Sequence, residues 1–564
     1  MTQTAKTRRS GIAIMAKLIL LLGNLSGIML LAVINGSLGF LCAMGVTVSG
    51  ALGIAKFLGE SIPLSYGAIM ALAIGCGVLR GALRYIEQYF NHYIAFRLLA
   101  VLRDKIFASL RKLYPAKLES REKGSIIAML TADIETLEVF YAHTISPICI
   151  ALIVSVTVLI FVTLTSSWKL ADLALLGYLV IGVFTTMVFS NNTKEAGVRY
   201  RQEFSSFNAY FLDSIKGIKD IVLNNAGSDR QKEVNRRSDV LLKESTILKH
   251  ETTKAMAFTE LMVSVVILAA AAMAVHLVIT GQISPGQMII GLTAVFGSFG
   301  PVLAVSALPG NLAHTLASGD RVLDLLEEKP EIYEVTGKKD LDFESFEVKD
   351  LCFGYEADKP VLDHINMEAK TGEIVGIVGH SGCGKSTLLK LLLSFRKPTD
   401  GEIRFDGIHQ DQINTSSLRE NMAMVSQSVY LFDDTIEENL RLAKPNATDQ
   451  ELIDACKAAS VYQLIQSLPQ GFQTQVGTLG DRLSAGEKQR LGLARAFLSG
   501  AKLILLDEPT SNVDSINEGI ILKALQEQKH DKCILLVSHR ESTMKIADRM
   551  YRIEKGVMKE CAAL

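Results

Sequence analysis

The sequence predicts an all-α six-helix transmembrane domain followed by an α/β domain of the phosphate-loop type. Three observations predict it. Apolar segments long enough to cross a bilayer recur through the first half of the chain. From Phe343 onward hydrophobicity falls, and short strand-like runs alternate with helical ones. Within that second half, Gly379-His380-Ser381-Gly382-Cys383-Gly384-Lys385-Ser386-Thr387 stands between an apolar run, Ile374 to Val378, and an apolar helix, Leu388 to Leu393. That is G-x-x-x-x-G-K-[ST] in strand–loop–helix context. Composition agrees: the 564 residues are 49% hydrophobic yet 21% charged, so a membrane-like part is joined to a soluble one. A net charge of −1 gives no general attraction to nucleic acid.

In chain order, Lys6, Arg8 and Arg9 precede an apolar run, Gly11 to Leu22. Further long apolar segments follow without a small-residue cleavage site, so the run reads as an interfacial helix with its positive end in the cytosol. Spans are expected near Leu25 to Phe57, Tyr66 to Tyr93, Ala142 to Thr165, Leu170 to Phe189, Phe258 to Ile279 and Met288 to Leu308. Two long charged stretches, Arg97 to Thr136 and Asn191 to Lys254, read as amphipathic helix and are rich in Lys and Arg. With short links on the opposite side, both project into the cytosol as arms, in keeping with the positive-inside tendency. Their expected tips are Ala108 to Leu118 and Asn208 to Ile218. A charged connector with Pro330 and Gly337 divides the chain into a membrane domain (1–326), a linker (327–342) and a soluble domain (343–564).

The chemistry gathers in the soluble domain. Gly379, Gly382 and Gly384 let backbone N–H groups curl toward phosphate oxygens, and the following helix adds its positive end. Ser381 and Thr387 lie in the same loop, Lys385 is placed to reach terminal phosphates, and Ser386 to hold Mg²⁺. Ile504-Leu505-Leu506-Asp507 is a buried-strand run ending in a carboxylate suited to Mg²⁺; Glu508 follows as the expected general base. Ser538-His539 follows another apolar strand and is expected to contact the γ-phosphate. Eight scattered cysteines with no C-x-x-C pair give no visible zinc site or disulfide framework, and Cys383 inside the loop implies a reducing compartment. Cys561-Ala562-Ala563-Leu564 imitates a prenylation signal without the polybasic stretch that accompanies one.

The second span carries polar residues. Arg80, Arg84, Glu87, Gln88 and Asn91 are expected on one helical face, with Leu79, Leu83, Ile86 and Phe90 on the other. Charges at that depth face a bundle interior or an aqueous cavity. Two readings stand: a path for an anionic substrate, or an Arg84–Glu87 ion pair tying spans together. His92 flanks the same face, whereas His143, His276 and His314 are taken as packing or interface residues.

Leu483-Ser484-Ala485-Gly486-Glu487-Lys488-Gln489-Arg490, just upstream of Leu505-Leu506-Asp507-Glu508-Pro509-Thr510-Ser511, resembles the signature of the ATP-binding cassette (ABC) transporter family. The resemblance implies further roles: Tyr355 stacking on adenine, Gln427 in the Q-loop near Mg²⁺ and the attacking water, Ser511 to Asp514 as the D-loop, and His539 as the switch histidine. It implies two cassettes closing head to tail, with Ser484 and Gly486 reaching the ATP on the partner's phosphate loop. Ala485 departs from the usual glycine, Glu487 from glutamine, and Thr478 from a common glutamate, hinting at unequal sites and a heterodimer. Arg84-Tyr85-x-Glu87-x-x-x-x-His92, Asp133 to Leu137 and Ile145-Ser146-Pro147 resemble the CydC-like subfamily. That resemblance implies a CydD-like partner, a role in cytochrome bd assembly, and export of a small thiol, peptide or haem-related compound across the inner or plasma membrane. In that case His92 is the candidate haem ligand, with Arg80 or Arg84 near a propionate. The rival readings are a multidrug or lipid exporter of the same fold, and an ATP-gated regulatory membrane protein.

Overall fold

The computed structural model describes residues 9–119, 123–306, 309–356, 359–511 and 513–562. Asn512 and the side chain of His314 lie outside what is described. The described residues separate into two compact units, one within 9–110 and 123–328, the other within 111–119 and 329–562.

Among the described residues of the first unit, six helices are long and apolar enough to cross a membrane: Gly23–Phe57, Tyr66–Leu113, Gly124–Thr165, Trp168–Phe189, Gly227–Ile279 and Pro285–Ser306. The first five expected spans lie on the first five of them, and the sixth does so up to Ser306, with 307–308 outside the described residues. The charged stretches, however, are largely continuations of the spans. The second span runs unbroken from Tyr66 to Leu113 and the fifth from Gly227 to Ile279. No proline or glycine interrupts the chain from Arg84 to Leu113 or from Ser228 to Ile279, so nothing stops helix propagation at the edge of the apolar segment. The third span is less regular. π-Helical turns at Met129–Asp133 and Tyr141–Ile145 precede Pro147, which lacks the N–H a regular turn needs.

Large apolar side chains cover the outside of this unit; Val78, Leu152, Leu164 and Leu268 are all more than two-thirds exposed. Such a surface requires an apolar solvent. Inside, small residues such as Ala174, Ala270, Ala274 and Ala294 bring helices close around Val33, Val154 and Phe299. Gly36 marks the tightest approach: a Cβ there would lie 2.3 Å from Ile150 and 3.1 Å from the Glu87 side chain. The interfacial helix, Gly11–Leu21, is fastened by Arg9, which pairs with Asp320 (2.5 Å), Asp324 (2.8 Å) and Glu327 (3.0 Å).

The second unit holds two sheets. Strands β1 (Ser345–Phe353), β2 (Leu362–Lys370), β3 (Ile374–Gly379), β4 (Asp400–Phe405), β5 (Ile408–His409), β6 (Met422–Val425), β7 (Leu503–Asp507), β8 (Cys533–Val537), β9 (Arg549–Glu554) and β10 (Val557–Cys561) follow in order. The antiparallel sheet runs β2-β1-β4-β5, and the larger one β10-β9-β3-β8-β7-β6. β3, β6, β7, β8 and β9 are parallel, and β8 is buried throughout while β7 is buried up to Asp507. Their near-continuous apolar runs are what a sheet covered on both faces requires. β2 instead alternates buried and outward residues along most of its length, as a one-sided strand does. Cys561 sits in β10 with its thiol bonded to the Met550 carbonyl (3.6 Å). Residues 111–119 belong to this unit: Glu119 pairs with Lys390 (3.1 Å) and Arg396 (3.6 Å), and Tyr114 meets Phe395 edge-on.

Candidate active site

The loop after β3 leads into helix Lys385–Leu392, capped by Gly384. Gly382 (φ 82°) and Gly384 (φ 108°) occupy the left-handed region, and a Cβ on Gly384 would lie 2.7 Å from Leu362, so glycine is required there. Gly379 passes close to Ile553, while Ser381, Gly382 and Ser386 are exposed. Lys385 is buried and donates to the carbonyls of Gly379 (2.8 Å) and His380 (2.9 Å). Thr387 is buried, its hydroxyl 3.2 Å from that of Tyr355.

The parallel sheet aligns the remaining acids. β7 delivers Asp507 and then Glu508, beside β8 and its continuation into His539. Burial pushes the Asp507 carboxyl above the ordinary carboxylate range, and a hydrogen bond from Ser386 draws it partly back. Glu508 is held in the left-handed region (φ 48°), its N–H donating to the Val537 carbonyl (2.8 Å). A non-glycine residue in that region carries strain, as functional positions often do. The Glu508 carboxylate accepts from Gln427 Nε2 (3.1 Å) and stands 3.0 Å from His539 Nδ1. Three residues separated by up to 112 positions in sequence thus meet at one carboxylate.

The signature residues begin helix Ala485–Leu498. Ser484 caps it, accepting from the Glu487 N–H, while the Glu487 carboxylate accepts from the Ser484 N–H (2.7 Å). Glu487 thus completes a capping box, a role that glutamine also fills. The methyl of Ala485 is exposed, Gly486 is buried against Asn517, and Thr478 donates to Asp433 (3.3 Å). Arg490 bonds Asn517, which in turn donates to Asp514 at the start of the next helix. Gln489 donates to the Gln427 carbonyl (2.8 Å), tying the signature helix to the Q-loop.

Two arrangements are missing from the sequence reading. Buried Glu518 accepts from Ser542 and Thr543 and pairs with Arg540, which donates to the Ser511 carbonyl (2.9 Å), bracing the segments that carry Glu508 and His539. Arg396 lies over the Tyr355 ring (5.4 Å) while paired with Glu119 and Glu331. Neither has a motif; both depend on tertiary proximity.

In the membrane unit, a cavity of about 230 Å³ is lined by Phe40, Arg84, Glu87, Gln88, His143 and Pro147, among others. Arg84 binds Glu87 (2.5 Å), but three residues apart on the same helix, so this pair does not join spans. The tie between spans is Arg84 over the Phe40 ring (5.7 Å). The expected division of faces also fails: Leu83 shares the buried stripe with Glu87 and Asn91, because all three are spaced by four residues. Arg80 and Arg84 are exposed. His143 stands between spans, as an interface residue does: its ring meets that of His92 edge-on (5.7 Å), and it also lines the cavity. A second cavity, of about 300 Å³, is mainly apolar, between Thr47, Ile267, Leu292, Thr293 and Phe296.

A phosphate loop, acids at the ends of parallel strands and six membrane-crossing helices in one chain define an ATPase coupled to transport. A family profile described as ABC transporter matches residues 362–511, and one described as ABC transporter transmembrane region matches 25–302. A probable ABC transporter ATP-binding/permease protein of Haemophilus influenzae is 45% identical over 98% of this chain and 100% of its own length. A putative multidrug export ATP-binding/permease protein of Bacillus subtilis is 29% identical (86% of this chain, 83% of that one). An ATP-dependent lipid A-core flippase of Syntrophus aciditrophicus is 27% identical (86% and 80%). The solved structure of a bacterial Atm1-family ABC exporter with ATP bound shares the fold at a TM-score of 0.81, with 23% identity and 94% of each chain covered. The chain belongs to the ABC transporter family. Its architecture, membrane region first and cassette after, is that of an exporter-type half-transporter. None of these four descriptions names a thiol, haem or cytochrome bd.

Proposed function

We propose that this chain is the ATP-hydrolysing half of a dimeric exporter for amphiphiles, lipid-like or drug-like, bearing a polar head. The observation that carries this reading is that the membrane unit holds two separate cavities, one mainly apolar and one walled by Arg84, Glu87, Gln88 and His143. The first suits an apolar body and the second a charged group. The relatives described as multidrug and lipid A exporters agree in substrate class.

Within the cassette, Lys385 and the loop residues Gly379, Ser381, Gly382, Gly384 and Thr387 bind the ATP phosphates, and Tyr355 receives the adenine. Glu508 is the general base, oriented by Gln427 and His539. Ser386, Asp507 and Gln427 present oxygen donors only, and Asp507 is a buried carboxylate bonded to Ser386; that set fits Mg²⁺, which supplies charge neutralisation at the phosphates. Ser484, Gly486 and Asp514 serve the site completed by a second half-transporter. The cassette and the two arms lie in the cytoplasm, with the spans in the cell's inner or plasma membrane, and residues 111–119 carry cassette movement to the spans. An assembled Glu508–Gln427–His539 group favours turnover over a purely ATP-gated regulator.

A second reading has its own observation. The adjacent imidazoles of His92 and His143, beside Arg84, would suit a haem-related compound, with a CydD-like partner and a thiol or peptide as the remaining cargoes. ATP hydrolysis in nanodiscs, titrated with a lipid A-type amphiphile, haem, glutathione and cysteine, separates the two. Saturable stimulation by the amphiphile alone is expected. Stimulation by haem or a thiol, lost in Glu508→Gln, would replace the first reading with the second.

A further inference from the structure

Cysteine spacing in the sequence offers no zinc motif, yet the antiparallel sheet of the cassette assembles one sulfur, one imidazole and one carboxylate donor. Cys352 on β1 and Asp363 and His364 on β2 place ligating atoms within 4.8 Å of one another. We propose that these three residues form a binding site for a zinc-class divalent cation on the β1–β2 pair, with a water-accessible fourth position. Sulfur and nitrogen donors beside a carboxylate select that class over Mg²⁺ or Ca²⁺, which take oxygen ligands.

Three local features support the assignment. His364 Nδ1 bonds the Asp350 carboxylate at 2.6 Å, the arrangement by which a carboxylate orients a ligating imidazole. That leaves Nε2, which stands 3.9 Å from the Asp363 carboxylate. Two ligands on one tetrahedral zinc stand about 3.4 Å apart, so a small side-chain adjustment brings both onto a cation. Next, the His364 backbone N–H donates to Cys352 Sγ (3.3 Å), which holds the sulfur beside the imidazole-bearing residue. Finally, the backbone is bent to make the cluster. Asp350 (φ 50°) and His364 (φ 52°) are both left-handed, and β1 slips register against β2 and β4 around residues 349 to 353. Bulges re-aim side chains, and these turn Asp350, Cys352 and His364 toward one another. An ordinary hairpin kink accounts for the Asp350–His364 pair, but not for the sulfur and second carboxylate converging on the same ring.

The test uses the full chain in nanodiscs, tag-free and reduced, titrated with Co²⁺ and then with Zn²⁺. One equivalent of Co²⁺ should give a thiolate-to-cobalt absorption band that Zn²⁺ displaces. Cys352→Ser should abolish the band, and His364→Asn, which tolerates the left-handed backbone, should weaken affinity about tenfold or more. Zn²⁺ should raise the unfolding midpoint of the parent chain, raise that of His364→Asn less, and leave that of Cys352→Ser in place. A band that survives Cys352→Ser, no band at stoichiometric Co²⁺, or an equal Zn²⁺ shift in parent and variants would each overturn the site. The metal-free unfolding midpoints confirm that the variants fold, so loss of the band reports on ligands.

Discussion

Glu508 holds the most constrained position in the cassette: a left-handed backbone, a hydrogen bond from Gln427 and the His539 ring at 3.0 Å. A carboxylate fixed on both oxygens can orient a water and accept its proton. Glu508→Gln should therefore keep ATP binding while lowering the hydrolysis rate about 10²- to 10⁴-fold, measured as phosphate release against nucleotide retention. Asp507 supports a pH prediction. Burial raises its carboxyl, and only the ionised form holds Mg²⁺, so protons compete at higher pH than for an ordinary aspartate. The half-saturating Mg²⁺ concentration should climb as pH falls from about 7 toward about 5, and Asp507→Asn should weaken Mg²⁺ dependence at every pH and flatten that trend. These residues were legible in the sequence because each ends a strand or opens a helix within a short motif. Glu518, Arg540 and Thr543 were not, since a buried glutamate in helix Ser515–Glu527 has no local pattern until the fold brings residues 510, 511, 540 and 543 around it.

Elements were legible where hydrophobic periodicity speaks and less so where a boundary depends on what the chain does next. The six spans follow from length and apolarity, yet the second and fifth continue as helix for many residues past the apolar edge, because charged helix formers such as Arg103, Lys105 and Arg111 extend them without a break. The expected first tip, Ala108 to Leu118, stops one residue short of Glu119, the carboxylate that pairs with Lys390 and Arg396. Arg396 also covers Tyr355, so this end of the segment and the proposed adenine-binding ring share one guanidinium. Glu119 and both of its partners are partly buried, but Arg396 keeps Glu331 and glutamine keeps a hydrogen-bonding side chain, so Glu119→Gln should lower the unfolding midpoint only modestly. It should reduce stimulation of hydrolysis by transported amphiphile more than basal hydrolysis; equal losses would show that Glu119 supports the cassette alone. At the signature helix, Glu487→Gln keeps the capping acceptor while removing a charge from the helix end proposed to meet the partner's ATP. The apparent KM for ATP should fall in that variant, and an unchanged KM would place Glu487 outside phosphate reach.

At the scale of the whole molecule, composition alone separated a membrane half from a soluble half, and the phosphate loop with its signature placed the soluble half. What the membrane half carries was far less legible, because a helix face is not a cavity until its neighbours arrive. Arg84 and Glu87 pair along one helix, and it is Phe40 from the first span and His143 and Pro147 from the third that give the pair a wall. Truncating Arg84 alone would take the ion-pair partner from buried Glu87, leaving it only the hydrogen bonds from Gln88 and Asn91, and would confuse folding with recognition. The informative variant is Arg84→Gln with Glu87→Gln, which keeps shape and hydrogen bonding and removes both charges. If the cavity holds the polar head of an amphiphile, the concentration giving half-maximal ATPase stimulation should rise about tenfold or more, equivalent to about 1.4 kcal/mol of lost recognition. Basal hydrolysis should change less, and an uncharged amphiphile of the same apolar body should be indifferent to the change. An equal loss for charged and uncharged amphiphiles would assign the pair to holding the helix in place, and would move head-group recognition elsewhere in the bundle.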